Sequence, residues 1–146
     1  MPRYALIVNF EGGVVDTPMQ EWKPEEVTAH LDYYKALGQE LIASGERVQS
    51  EVLMPPNLAK IVTSDGASSL VTDGPFQEFK EWAAGFKIVD VEFEERALEI
   101  AAKLSAVPGP GGVPTQQPIQ VRQVMEQAPA DAAEMDAYLQ TAGGER

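Results

Sequence analysis

The stretch LVTDGPFQEFKEWAAGF, residues 70–86, contains in order the end of an extended run, a tight turn, a short helical segment and the start of a new strand. The Asp73 carboxylate can accept hydrogen bonds from the backbone just after it, and Gly74 tolerates a φ closed to other residues. Pro75 has the fixed φ and missing N–H that suit the first position of a helix. A helix predicted over 75–82 puts Phe76, Phe79 and Ala83 near one side, and Gly85 releases the chain into a strand over 86–91.

Working outward, residues 4–10 are apolar on both alternating faces, with Tyr4, Leu6, Val8 and Phe10 on one side and Ala5 and Ile7 on the other, as expected of a strand covered twice. Residues 11–23 read as a loop. Pro24 then opens a helix over 24–44, on which Val27, Leu31, Tyr34, Gly38, Leu41 and Ile42 recur at helical spacing and which Gly45 stops. A second strand covers 48–54 and ends at Pro55-Pro56. Two extended runs, 59–63 and 68–72, flank Ser64-Asp-Gly-Ala67, a hairpin signal that delivers the chain to Asp73.

Beyond the third main strand, a helix over 93–104 gathers Phe93, Ala97, Ile100, Ala101 and Leu104 on one stripe. Residues 107–118 are too rich in Pro and Gly for regular structure and read as a surface loop, followed by a last strand over 119–125. The tail is Ala-rich and acidic, with a loosely docked helix near 130–139 anchored by Met135, Tyr138 and Leu139. The expected division is a domain over 1–126 and a tail over 127–146.

The order β-α-β-hairpin-short α-β-α-β is an α+β, split βαβ arrangement of the ferredoxin-like type with an inserted hairpin. Two helices on one face of a four-stranded sheet leave the other face bare. Residues such as Ile7, Val52 and Val89, expected there, are too apolar for solvent, so a homodimer packing sheet against sheet is predicted.

With 146 residues, a formal charge of −12 and a pI near 4.4, the chain fits one domain and is repelled by nucleic-acid phosphates and anionic membranes. It has no cysteine, so disulfides and thiol nucleophiles are excluded. The short apolar run at 4–10 lacks a cleavage site and no stretch is long enough to span a bilayer, which points to the cytoplasm.

At Val71-Thr-Asp-Gly-Pro-Phe76 the chain resembles the DGPF-domain family of the YCII-related superfamily. The resemblance continues through Glu78, Lys80, Glu81, Gly85 and Phe86, and also takes in Gly45, Val48, Pro55-Pro56 and the closing residues Val121 to Met125. It covers roughly residues 3–126, with departures at Ala84, Gln123 and a longer loop at 108–118. What it implies is a ferredoxin-like fold dimerising through its sheets into an α+β barrel, with a cleft near the Asp-Gly-Pro-Phe turn. It further implies a proton-transfer pair of a His on the first helix and an Asp after the second.

His30, the single histidine, lies on the first helix but fifteen positions before Gly45, about one turn earlier than that pattern, where Tyr34 holds the closer register. No Asp follows the second helix at 104–108. Candidate catalytic residues are therefore Asp73, His30 and Tyr34, with Asp73 also readable as a turn-former and His30 as a boundary residue. Candidate ligand-binding residues are Gly74, Phe76, Phe79 and Arg122. The helix start at Pro75 and the Arg122 fork could hold a carboxylate or phosphate, Arg122 could instead pair with Asp73 or Glu81, and the aromatics could wall an apolar ligand.

No metal-ligand set and no cofactor motif is present. The expectation is a YCII-related dimer that binds a small anionic or aromatic molecule. The alternatives are a lyase or hydrolase using Asp73 with His30 or Tyr34, and a regulatory accessory protein linked to sigma-factor signalling, the last implied by the resemblance alone.

Overall fold

The computed structural model describes residues 1–9, 13–73 and 82–144. Gly74, Phe76 and Phe79, the predicted helix at 75–81, and Lys80 and Glu81 lie outside the described residues.

Alternation in β1 (Arg3–Asn9) buries Tyr4 and Leu6 and leaves Arg3, Ala5 and Ile7 half-buried on the other face. Around it are β2 (Arg47–Val52), β5 (Ala83–Asp90) and β6 (Ile119–Gln123), in the order β2-β5-β1-β6, every pairing antiparallel. The two helices α1 (Pro24–Ala43) and α2 (Glu94–Ser105) join β1 to β2 and β5 to β6, so two interleaved βαβ units place their first strands at the sheet's centre. This is a ferredoxin-like α+β fold. The strands β3 (Lys60–Ser64) and β4 (Ser69–Asp73) form the inserted hairpin as a separate two-stranded sheet. Its turn is held by Asp65, whose Oδ1 accepts the N–H groups of Ala67 and Ser68 at 2.9 and 2.8 Å.

Both helices cover one face of the four-stranded sheet. There Tyr4, Leu6, Val89 and Val91 meet Leu37 and Leu41 of α1 and Ala97, Ile100, Ala101 and Leu104 of α2. Val89, expected on the bare face, is thus fully buried beneath the helices, directly opposite Tyr4. Val52 pairs with Gly85 on that same side and is 90% exposed. The bare face consists of Ala5, Ile7, Phe86 and Ile88, all half-buried, with Arg122 and Glu51 opposite Ala5 and Phe86 at the flanks.

The buried stripe of α1 also differs from its periodicity. Leu41 is buried as expected, but Leu31 and Ile42 are more than half exposed and His30 and Leu37 are buried instead, because the side that meets α2 and the 107–118 segment is decided by those partners. On α2, Phe93 precedes the first turn and is exposed. The strand β5 begins at Ala83, so Gly85 lies inside it rather than before it. A Cβ there would stand 2.6 Å from the Glu51 carbonyl oxygen of β2, so the glycine permits close strand approach.

A polar clamp ties the helices together at one end. Arg96 of α2 donates from Nε and a terminal nitrogen to both carboxylate oxygens of Glu46 at 2.8 and 2.9 Å, and also bonds Glu99 at 3.1 Å. Lys103 reaches Glu40 of α1 at 2.9 Å. The Arg96 guanidinium holds the Glu46 carboxyl below its ordinary range, and Glu46 in turn raises Arg96. Downstream, the helix α3 (Ala132–Gly144) starts at a carboxylate cap: Asp131 accepts the Glu134 N–H at 2.9 Å while Glu134 accepts that of Ala130 at 2.7 Å. Its side chains from 132 to 141 are exposed. Among the described residues no helix is long and apolar enough to cross a membrane.

Replacing Arg96 with Ala is expected to lower unfolding free energy by about 1–2 kcal/mol, the low end for charge-assisted bonds because solvent reaches the pair. Since the folded pKa of Glu46 is depressed, the pair's contribution is full above the ordinary glutamate pKa and lost as pH falls through the folded value. Urea melts of wild type and R96A should therefore converge in acid. Gly85→Ala should cost about 1–3 kcal/mol by the same melts, through the clash with Glu51.

Candidate functional site

The segment 107–118, expected as a plain surface loop, is a packed strap. Val107 and Gly109 are buried, and Thr115 is 4% exposed. Its feet are joined by the Thr115 N–H to the Val107 carbonyl at 2.9 Å and by a bridge between Pro108 and Pro114. The Gln116 N–H, bonded to Ser105 at 2.9 Å, fixes it to the end of α2. Its crown is the single turn Pro110–Gly112, where Gly111 and Gly112 take φ of 69° and 74°, a backbone that glycine adopts without steric cost. The loop after β1 packs under it, through the Val14 N–H to the Thr115 carbonyl at 2.9 Å.

Two side chains one turn apart on α1 reach this strap. His30 donates from Nδ1 to the Pro108 carbonyl at 2.8 Å, and Glu26 accepts the Gly111 N–H at 2.6 Å. Glu26 also accepts the Lys23 N–H at 2.9 Å, which caps the helix start. The Gly111 amide is the first cause, and the Lys23 amide the second, of the lowering of the Glu26 carboxyl pKa.

Around His30, itself only 7% exposed, stand two aromatic rings set edge to face. Trp22 has its ring centroid 5.3 Å away and Tyr34 5.0 Å away. Trp22 is aimed by its indole N–H, which donates to the Thr17 carbonyl at 2.9 Å. Tyr34, one turn beyond His30, has its hydroxyl pKa raised by burial and then by Tyr33, so it stays protonated and can donate. A carbonyl can only accept, so Nδ1 carries a proton, and in the neutral form of the ring the lone pair then lies at Nε2. That nitrogen has no hydrogen-bond partner among the described residues.

Of the residues singled out by sequence, His30 and Tyr34 come together. Asp73 does not join them. At the end of β4 it is exposed and paired with Lys60 directly across the hairpin, rather than with Arg122. Arg122 is exposed on the far face of β6, opposite Ala5, with no partner among the described residues. Sequence reasoning missed Trp22 and Glu26. The signal for the first was a large aromatic between Pro18 and Pro24 just ahead of the helix; for the second, a Glu one turn before the histidine. It also passed over Lys87, on the helix-side face of β5. This ammonium donates to the Ser50 hydroxyl at 3.0 Å, and its pKa is lowered chiefly by burial and then by Arg47. Among the described residues no three His, Asp or Glu side chains cluster as metal ligands would.

The fold and this cage define an α+β protein of ferredoxin-like topology with one shielded imidazole at the start of its first helix. The model of the YCII-related domain matches residues 3–119, and the chain belongs to that family. It is also 30% identical over 84 residues to the uncharacterized protein R00369 of Rhizobium meliloti (strain 1021), a match covering 58% of this chain and 68% of that protein.

Proposed function

We propose that this YCII-related protein binds a small aromatic molecule carrying a hydroxyl group in the cage around His30, and that the imidazole takes up the ligand's proton. The observation that carries the reading is the division of roles on one ring, with Nδ1 committed to Pro108 and Nε2 unpartnered among the described residues. An open acceptor on an otherwise buried ring favours a ligand that donates, and the Trp22 and Tyr34 rings favour one that is flat. A free carboxylate is disfavoured beside Glu26 and in a chain of net charge −12. If the ligand turns over, as a lyase or hydrolase substrate would, His30 is the base and Tyr34 the hydrogen-bond donor. Asp73, engaged by Lys60, takes no part in this reading.

The Asp73-Gly-Pro-Phe76 motif supports placing the chain in the DGPF branch, with residues 127–146 as an appendage to the domain. The half-buried apolar face of Ala5, Ile7, Phe86 and Ile88 supports a homodimer joined sheet to sheet.

Titrating phenol into the wild-type protein should shift the ring resonances of His30 in a saturable way, and His30→Ala should abolish saturable binding followed by Trp22 fluorescence. Benzoate should bind more weakly. Unperturbed His30 resonances at millimolar phenol would contradict the reading. For assembly, sedimentation at micromolar concentration should give twice the 15.9-kDa chain mass, and Ile88→Lys should shift it to monomer. A clean wild-type monomer would overturn the dimer.

A further inference from the structure

An imidazole that works through one nitrogen needs its other nitrogen held, commonly by a carboxylate or a backbone carbonyl. Here the holder is the Pro108 carbonyl, and a carbonyl on a Pro/Gly strap is only as steady as the strap. The feet of the strap are joined to each other and to the end of α2 through Val107, Ser105, Thr115 and Gln116. Two of the three residues of its crown, Gly111 and Gly112, have no side chain to pack on α1. Towards α1 it has two hydrogen bonds among the described residues: that of His30 itself, and that of Glu26 to the Gly111 N–H. The two helix residues are four apart and the two strap residues three apart, so the pins run side by side from one helix face to one turn.

We infer that Glu26 is a positioning residue for His30: by holding the Gly111 N–H it seats the strap so that the Pro108 carbonyl keeps the imidazole proton on Nδ1 and leaves Nε2 bare. The inference deepens the proposed site, resting on His30 acting through Nε2. Glu26 touches no ligand in this arrangement. Its effect passes through the strap, from an amide 85 positions away in sequence to a carbonyl three residues before it.

The test uses the full chain, whose single histidine gives one imidazole to observe. Long-range nitrogen–proton correlation spectra read the Nδ1–H to Nε2–H ratio of the neutral ring. In Glu26→Ala that ratio should fall roughly tenfold from wild type, the scale of one net hydrogen bond. Glu26→Asp keeps the charge but shortens the reach, and should move the ratio the same way. That separates a mechanical effect from a charge effect and supplies a folded variant if the alanine variant fails to fold.

Lys23→Pro is the control. Lys23 has φ of −67° and ψ of 147°, which proline accepts, so the change removes the cap donor to Glu26 and leaves the Gly111 bond intact. It should leave the ratio at the wild-type value. An unchanged ratio in a folded Glu26 variant, or an equal fall in Lys23→Pro, would overturn the inference. Because the ratio is read without ligand, failure here is distinct from failure of phenol to bind.

Discussion

A histidine ring packed among aromatic side chains must have its inward N–H satisfied by the protein, because leaving a buried donor without a partner is costly. The structure meets that constraint at His30 by spending one backbone carbonyl, that of Pro108, on Nδ1. The strap must then be brought across α1 and held there. Its Gly-rich crown, the Glu26 carboxylate at Gly111 and the loop carrying Trp22 all follow from enclosing that ring.

The ferredoxin-like scaffold makes the enclosure rigid where it must be. Leu37 and Leu41 fix the later turns of α1 in the core, while Ile100 and Leu104 fix α2, from whose end the strap departs. The Lys103–Glu40 pair and the Tyr33 hydroxyl, which donates to the Lys103 carbonyl at 2.7 Å, tie the two helices to one another, and Arg96 ties α2 to Glu46 in the turn after α1. His30 and Pro108 are thus placed by separate elements that share a core. A small shift of one helix against the other would change the bond between them. The start of α1 carries the cage and its buried half carries the packing, so the site sits on the less constrained end of a well-anchored helix.

Much of the fold was legible from local chemistry. Alternation in β1, Pro24 and Gly45 bounding α1, the Asp65-Gly66 turn and the Ala97 to Leu104 stripe each depend on near neighbours, and each gave its element to within a few residues. Orientation was less legible. The apolar spacing of α1 placed Tyr34 and Leu41 on the packed side correctly but also Leu31 and Ile42, and only contacts from distant segments turn the helix so that His30 and Leu37 face inward instead. The strap was opaque for the same reason. Its composition says loop, whereas the bonds that pack it to α1 join residues 78 and 85 positions apart. Gly85 looked like a boundary because composition does not show that Glu51 passes close by. Asp73 looked available because the cross-strand register that pairs it with Lys60 depends on the whole hairpin.

The central claim, that the single histidine is caged between α1, Trp22 and the strap, is tested most directly by nuclear Overhauser contacts of its ring in the wild-type protein. The account predicts contacts from the His30 ring protons to the Trp22 and Tyr34 rings and to Pro108, with ring-current-shifted resonances. A His30 ring with solvent-like shifts and contacts only to its own helix would contradict it.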